Sequence, residues 1–325
     1  HMPSRRQRQM CIRDRGTSNA AGVTGATAIG NNSTASITLD GTVYKTTGDQ
    51  TYTAATGDEN IIITSGGTSA VAITTAGGNI EFATSGVDLQ NDNTTTITSG
   101  GGTVSFGADL ESGDGGNDDL LVISSGAGDV TFTGAIGATH ELGGLDVNAT
   151  TAGSGDITFS GNIGASGGSA QPGVFGTTAI GTTTTENVHF AGTLYSFDGG
   201  TTTITATTDS GSGDDENIEV GAAATFKAVG EGLTFAGGKI DLADGANLTV
   251  TNTNGAISIS GIAGNTDEEV VINAGTSTVA LGAVGDSASL QIHTLEVTGD
   301  GGITLSGDIY TSSDATSTAD ITFND

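Results

Sequence analysis

Short segments that alternate apolar and polar residues recur along the chain, and residues 128–164 show the pattern most clearly. Three of these segments are Val130-Thr131-Phe132, Leu145-Asp146-Val147 and Ile157-Thr158-Phe159. Because successive side chains of a strand point to opposite faces, a period of two predicts short β-strands with one buried side. The intervening residues are mostly Gly, Ser, Thr, Asn and Asp, which predict tight turns. Apolar positions three and four residues apart, which would predict helices, do not recur.

The same succession of segments returns in residues 278–309, where Leu281 aligns with Phe132 and Ile303 aligns with Ile157. Acidic or amide clusters also recur directly before β segments that begin 59, 98 and 52 residues apart. These intervals predict units of about fifty residues, each made of about two coils, near 57–112, 114–167, 168–213, 211–264 and 266–325. The four clusters are Asp58-Glu59-Asn60, Asn117-Asp118-Asp119, Asp214-Asp215-Glu216-Asn217 and Asp267-Glu268-Glu269.

We expect an all-β chain folded as a parallel β-helix, or β-solenoid, of short Gly-, Thr- and Asp-rich coils. A coil of roughly 20–27 residues suits this fold, in which each strand pairs with the coils on either side of it. About a dozen coils spaced about 4.8 Å apart would make a rod on the order of 60 Å long. The alternative is a series of tandem β-sandwich repeats. The solenoid is favoured because no linker interrupts the array and each unit holds few large apolar residues.

The first fifteen residues do not fit the pattern. They hold all five arginines of the chain and its only cysteine, Cys11. His1-Met2 resembles a cloning scar, and residues 3–15 resemble translated adapter sequence from a metagenomic assembly. The alternative is a basic arm that binds nucleic acid. We therefore expect a non-native head at 1–15, a loose lead-in at 16–35 and a single solenoid array at 36–325.

Charge is distributed unevenly between the head and the rest of the chain. After the head, only Lys45, Lys227 and Lys239 are basic, whereas all acidic residues except Asp14 lie there, which gives residues 16–325 a formal net charge of −33. Such a surface repels nucleic acid and anionic lipids and favours divalent cations. No apolar segment reaches the roughly 18 residues needed to span a bilayer. We expect neither a nucleic-acid partner nor membrane insertion.

The best candidate metal site is the acidic corner at residues 113–120. Its sequence, Gly-Asp-Gly-Gly-Asn-Asp-Asp-Leu, partly matches the calcium-binding nonapeptide G-G-x-G-x-D-x-U-x, but it has an aspartate at the fourth position and does not recur in tandem. Calcium takes six to eight oxygen ligands. Candidate ligands are Asp114, Asn117, Asp118 and Asp119. The alternative is that these side chains bind nearby backbone and cap turns. Calcium is the only cofactor that the sequence suggests.

Other chemistry is poorly supported by the sequence. His140, His189 and His293 do not show metal-ligand spacing. A polysaccharide lyase needs cationic groups, which the array almost lacks, and the absence of Trp leaves few aromatic platforms for a glycan hydrolase. We therefore expect that the chain is not an enzyme. Threonine runs at 94–98 and 201–205 are interpreted as solvated strand faces.

The segments GDVTFTGAIGA, LGGLDVNATTAG, GDITFSGNIG and LQIHTLEVTGDGGITLSGDI resemble the β-strand-repeat proteins of bacterial surfaces, which are similar to filamentous haemagglutinin-type adhesins. The resemblance covers roughly residues 36–325. It implies secretion, a long β-solenoid shaft and a role in adhesion, biofilm matrix or surface coating. It implies no catalytic residue.

We therefore expect an extracellular structural or adhesive shaft of a bacterial surface or matrix protein. The alternatives are a module that binds a glycan or another surface with the help of calcium and, less favoured, a β-helix glycan hydrolase. Residues 320–325 repeat the phrase Ile-Thr-Phe of residues 157–159. Open strand edges template pairing with another chain. Ile321 and Phe323 are therefore the candidate residues for homotypic end-to-end association into filaments.

Overall fold

The computed structural model describes residues 10–11, 22–67, 69–90, 92–113, 118–165, 173–207, 218–265, 267–285, 290–312 and 320–324. In this part of the chain the regular secondary structure is entirely β. The strands are β1 Met10–Cys11, β2 Thr27–Gly30, β3 Ile37–Asp40, β4 Val43–Lys45, β5 Gln50–Thr64, β6 Val71–Thr74, β7 Ile80–Leu89, β8 Thr94–Thr98, β9 Val104–Phe106, β10 Leu110–Ser112, β11 Leu120–Ser124, β12 Val130–Phe132, β13 Gly144–Val147, β14 Ile157–Phe159, β15 Thr178–Ile180, β16 Val188–Phe190, β17 Leu194–Asp198, β18 Thr202–Ala206, β19 Ile218–Val220, β20 Ala224–Val229, β21 Leu233–Gly237, β22 Ile240–Leu242, β23 Leu248–Thr253, β24 Ile257–Ala263, β25 Glu269–Asn273, β26 Val279–Val284, β27 Thr294–Thr298, β28 Ile303–Leu305 and β29 Asp320–Asn324.

The strands form a parallel β-solenoid of about 11 turns. Each strand pairs in parallel with the strands one coil before and one coil after it, as β12 does with β9 and β14. The chain passes over three faces in each coil. Face A contains β2, β9, β12, β14, β16, β19, β22 and the first parts of β5 and β7. Face B contains β3, β10, β17, β20, β23, β25, β27, β29 and the second parts of β5 and β7. Face C contains β4, β6, β8, β11, β13, β15, β18, β21, β28 and the first parts of β24 and β26, whose second parts return to face A.

This topology confirms the predicted fold class. Tandem sandwiches would require antiparallel pairs within each unit, whereas the described strand pairs are parallel. The coils vary more in length than expected: paired residues one coil apart are separated by 22 residues from Ile240 to Ile262 and by 33 from Leu145 to Thr178. The variation lies in the loops at the corners, so the three faces stay in register.

The acidic clusters and the aligned phrases do not mark equivalent places in the solenoid. The strands after the four clusters begin at Ile61 on face B, Leu120 on face C, Ile218 on face A and Val270 on face B. The interval from one cluster to the next therefore covers two or three complete coils plus the step from one face to the following face. The phrases at 128–164 and 278–309 also differ, because β12 lies on face A and its aligned counterpart β26 begins on face C. The structural repeat is the single coil. The fifty-residue period reflects similar strand sequences that recur on different faces.

The array begins before its predicted boundary. β2 lies within the stretch 16–35, which we predicted to be a loose lead-in, and it pairs with the start of β5. The sequence did not predict β2 because Ile29 is its only large apolar residue, and one such residue cannot show an alternation of apolar and polar positions. In the head, β1 pairs with β3, with Met10 opposite Ile37.

The core is a narrow column filled by the inward residues of the three faces, and its clearest feature is a ladder of aromatic rings on face A. The rings are stacked with centroids 4.9 to 5.3 Å apart from each coil to the next, and all are almost fully buried. After Phe190 the ladder moves to face B, where Tyr195 packs edge-on against Phe190 at 4.6 Å and stacks on Phe226 at 4.7 Å. Stacked aromatic pairs add about 0.5–1.5 kcal/mol beyond their burial, so the ladder ties the first half of the solenoid to the second. The rings on face A are Tyr52, Phe82, Phe106, Phe132, Phe159 and Phe190.

A column of glycines lines the corner between faces C and A. A Cβ atom on Gly102 would lie 2.3 Å from the carbonyl oxygen of Gly78, and a Cβ atom on Gly128 would lie 2.1 Å from that of Gly102. A Cβ on Gly155 would meet Gly128 in the same way, at 2.4 Å. Consecutive coils thus touch backbone to backbone at this corner, and only glycine fits.

Buried hydroxyl groups run beside the glycine column. Thr75 Oγ1 lies 2.8 Å from the carbonyl oxygen of Ser99, and Ser99 Oγ lies 3.0 Å from that of Ser125. Ser125 is in turn linked to Asn148, whose Oδ1 accepts a 2.9 Å bond from the Ser125 amide. These bonds join four successive coils and satisfy polar groups that the corner buries.

Candidate functional site

The predicted calcium corner is only partly described by the structure. Asp118 is exposed, Asp119 is completely buried, and Asp114 and Asn117 lie outside the described residues. Asp119 Oδ1 accepts a 3.0 Å hydrogen bond from the Asn93 amide, and Oδ2 accepts a 2.7 Å bond from Ser112 Oγ. Because both oxygens bind protein groups, the geometry gives Asp119 a role in joining two coils.

Asp119 belongs to a wider class of side chains that link coils. An aspartate or asparagine directly before a strand accepts a hydrogen bond from the amide of the equivalent residue one coil away. On face A, Asp129 Oδ1 accepts from the Asp156 amide at 3.0 Å, and Asp156 Oδ1 accepts from the Asn187 amide at 3.1 Å. On face B, Asn247 Oδ1 accepts from the Glu269 amide at 2.8 Å. The described polar residues before these strands therefore bond to another coil, whereas the sequence suggested calcium binding or caps of local turns; the cluster at 214–217 lies outside the described residues.

Glu111 is a buried carboxylate on face B that holds a loop in the next coil. Its Oε1 accepts a 3.1 Å bond from the Ala138 amide, and its Oε2 accepts bonds from the amides of Thr139 and His140 at 3.1 and 2.9 Å. Burial raises the pKa of the Glu111 carboxyl above its usual value, although the three N–H donors oppose this change. The site resembles an anion-binding nest that is already filled by a side chain of the protein.

The fourth acidic cluster provides the carboxylate grouping with the best metal-ligand spacing among the described residues. One oxygen each from Asp244, Asp267 and Glu268 lies within 4.8 Å of the others, at the corner between faces A and B of two consecutive coils. Glu268 is completely buried and Oε2 accepts a 2.6 Å bond from the Asn265 amide. Burial, together with Asp267, raises the pKa of Glu268. Three carboxylates are half of the oxygen set that calcium needs, and carbonyl groups or water would have to supply the rest.

His140, His189 and His293, which lack metal-ligand spacing in the sequence, lie in three different coils. His189 lies on the outer side of face A, where Nδ1 is 2.5 Å from Glu219 Oε2 of the next coil. His293 Nδ1 lies 3.0 Å from the carbonyl oxygen of Ser312, and His140 lies in the loop held by Glu111. No histidine joins the acidic grouping found among the described residues.

A shallow polar depression of about 390 Å³ lies at the corner between faces B and C. Its walls come from residues 251–254 of one coil and from Asn273, Gly275 and Thr276 of the next, so they consist of Thr, Asn and Gly. Asn252 is buried beneath it and donates a 2.6 Å bond from Nδ2 to the carbonyl oxygen of Glu231. The lining carries hydroxyl and amide groups without a titratable side chain, which suits recognition of a neutral polar ligand and not acid–base chemistry.

The predicted association residues lie on the last described strand, β29. Its apolar residues Ile321 and Phe323 are 41% and 42% exposed, whereas their partners one coil earlier, Leu295 and Val297, are 1% and 0% exposed. All four side chains belong to the inward rows of face B. The structure therefore brings the two predicted residues together in one patch that would be buried by one more coil.

The sequence analysis missed the glycine and hydroxyl columns, although a signal for them exists. Three six-residue segments share a pattern of two hydroxyl residues followed by small residues and glycine, and they begin 24 and 26 residues apart, which is one coil. These segments are TTAGGN at 74–79, TSGGGT at 98–103 and SSGAGD at 124–129.

Comparison with known proteins identified no relative of this chain. No protein-family model matches the chain, and no curated protein or solved structure matches it. Among the described residues, no helix is long and apolar enough to cross a membrane.

Proposed function

We propose that this chain forms an extracellular structural or adhesive shaft of a bacterial surface or matrix protein. The observation that carries the proposal is the unbroken stacking of coils around one filled core. About 11 turns at about 4.8 Å each give a shaft of about 53 Å. The resemblance to bacterial β-strand-repeat proteins supports the extracellular location.

The surface chemistry supports the same role. The net charge of −29 keeps such a rod soluble and prevents non-specific collapse onto other acidic polymers. The hydrogen bonds between coils, the aromatic ladder and the glycine column all act to hold neighbouring coils together.

We further propose that β29 mediates end-to-end association between copies. A second copy that adds its first coil in the same parallel register would cover Ile321 and Phe323 as β29 covers Leu295 and Val297. Phe323→Asp, or Ile321→Pro, should suppress association. Thr322→Asp is the matched control, because Thr322 lies on the same strand with its side chain on the outer face. Equal association of the Phe323→Asp variant and the parent would contradict this part of the proposal.

Negative-stain electron microscopy of the purified full chain, with calcium and with chelator, tests the function. Uniform rods or end-to-end fibres are expected. Calcium-dependent fibres would implicate the acidic corners, and the Asp267→Asn variant would then lose that dependence. Globular or irregular particles under both conditions would refute the shaft.

A second candidate function is binding of a neutral glycan, which the depression at residues 251–276 favours. Hydroxyl and amide side chains on two consecutive coils could pair with sugar hydroxyl groups. A glycan array probed with and without calcium tests this candidate. Binding that persists unchanged in an Asn273→Ala variant would place the ligand elsewhere.

A further inference from the structure

Face C differs from the other two faces because its outer surface carries little charge: on its described strands the charged outward residues are Lys45, at the end of β4, and Asp146. Its central outward row runs in strict register through the solenoid, and every member except Asp146 is neutral. The Asp146 carboxylate turns back to its own loop, where Oδ1 accepts bonds from the amides of Ala149 and Thr150 at 3.1 and 3.3 Å. The row is Val43, Ala72, Thr96, Val122, Asp146, Ala179, Thr203, Thr234, Ser258, Ala280 and Thr304.

The other two faces carry more acidic groups on their outward rows. Glu219 on face A is half-buried beside His189, and face B also carries the exposed Lys227. The acidic outward residues are Glu81, Glu219 and Asp241 on face A and Glu269, Glu296 and Asp320 on face B. In a chain with 37 acidic and eight basic residues, two copies that approach through these faces repel each other. Face C is therefore the side on which two copies can meet with the least electrostatic cost.

The area of face C and the small size of its outward side chains suit face-to-face packing of two sheets. About 11 coils at about 4.8 Å and strands of about three to five residues at about 3.3 Å give an area of roughly 500–900 Å². A stable protein interface buries about 800 Å² on each partner. The side chains are short, and Thr, Ser, Ala and Val on facing sheets can interdigitate at a sheet separation of about 10 Å.

We propose that face C is a lateral self-association surface, through which two shafts pack side by side. The occupant is a second copy of this chain, because the same neutral, flat surface is its own complement in a two-fold arrangement. This contact is independent of the end-to-end association at β29. Shafts joined through face C would double in width, whereas shafts joined through β29 would double in length.

Paired charge substitutions on two faces test the proposal. Ala179→Glu with Thr203→Glu places two negative charges side by side on face C, since these residues are register partners. Thr131→Glu with Thr158→Glu is the matched control, because it adds the same charges at register partners on face A. Sedimentation velocity of the full chain over a range of concentrations, at physiological salt, measures association. Circular dichroism confirms that each variant is folded.

We expect the parent to form dimers and the face C variant to associate at least tenfold more weakly, while the face A variant stays within about twofold of the parent. Electron microscopy should show dimers of double width and single length. The proposal is overturned if the two variants weaken association equally, or if the parent stays monomeric at all concentrations. It is also overturned if face C binds a neutral polysaccharide and the dimers join only through their ends.

Discussion

Replacing Gly128 with alanine should destabilise the solenoid at one defined corner. The new Cβ would lie 2.1 Å from the carbonyl oxygen of Gly102, whereas ordinary contact begins near 3.4 Å. Coils would have to separate locally by about 1.3 Å, which would stretch the 2.9 Å hydrogen bond from the Val104 amide to the Asp129 carbonyl beyond bonding distance. Overpacking typically costs about 1–3 kcal/mol and an unmade buried hydrogen bond about 1–3 kcal/mol, so we expect the free energy of unfolding to fall by about 2–6 kcal/mol.

Gly221→Ala is the matched control for this change. A Cβ on Gly221 would approach nothing closer than 3.8 Å, and its backbone does not adopt a left-handed conformation. This control should be neutral or slightly stabilising. Because a repeat array need not unfold in one step, hydrogen exchange at the Val104 and Val130 amides is more informative than a single melting curve. Protection at these amides that is equal in the two variants would refute the role of the glycine column.

Three further changes probe other contacts. Asp156→Ala should lower the free energy of unfolding by about 1 kcal/mol, because it removes the oxygen that accepts two hydrogen bonds from Asn187 of the following coil. Asp156→Asn keeps an acceptor oxygen and should be neutral. Equal losses of stability in the two variants, measured by chemical denaturation, would show that these hydrogen bonds do not contribute. Thr202→Val should raise the melting temperature, because it removes a buried hydroxyl group without a hydrogen-bond partner and so stabilises the fold by about 1 kcal/mol. Thr203→Val, on the outer surface, is the control and should change the melting temperature little. A lower melting temperature for Thr202→Val would contradict this reasoning. The pKa of Glu111 is raised in the folded state, so folding takes up a proton there, and stability should increase as pH falls from 7 through that pKa and level off below about 4.3. Glu111→Gln should weaken this pH dependence, and a pH profile of stability identical to that of the parent would exclude the role of Glu111.

The class of fold follows from the sequence because the period of two is unbroken and no helical period competes with it. The strands around Val130 and Ile157 were located almost to the residue. Their assignment to faces was not predictable, since all three faces alternate apolar and polar residues in the same way. Loops of variable length then conceal the coil period, so similar phrases on different faces were aligned as if they were equivalent.

The candidate sites were predictable only in part. The sequence identified the acidic clusters, but it could not distinguish Asp118, whose side chain is exposed, from Asp119, whose carboxylate joins two coils. That distinction depends on which residue of another coil lies opposite. Ile321 and Phe323 on β29 were proposed because they repeat the phrase Ile-Thr-Phe of residues 157–159, and the register places both of them in an inward row of face B. The neutral surface of face C required the register, which no local pattern contains.

The orientation of the hydrogen bonds between coils has a mechanical consequence. These bonds run parallel to the solenoid axis. Tension applied to the two ends of the chain therefore breaks the bonds of one coil at a time, starting at an end. It does not load the bonds of all coils at once. Each coil that detaches releases 22 to 33 residues, or about 75–110 Å of extended chain. Under an atomic force microscope the shaft should lengthen in steps of this size at low force. A solenoid built in this way would extend coil by coil under load and rewind when the load falls.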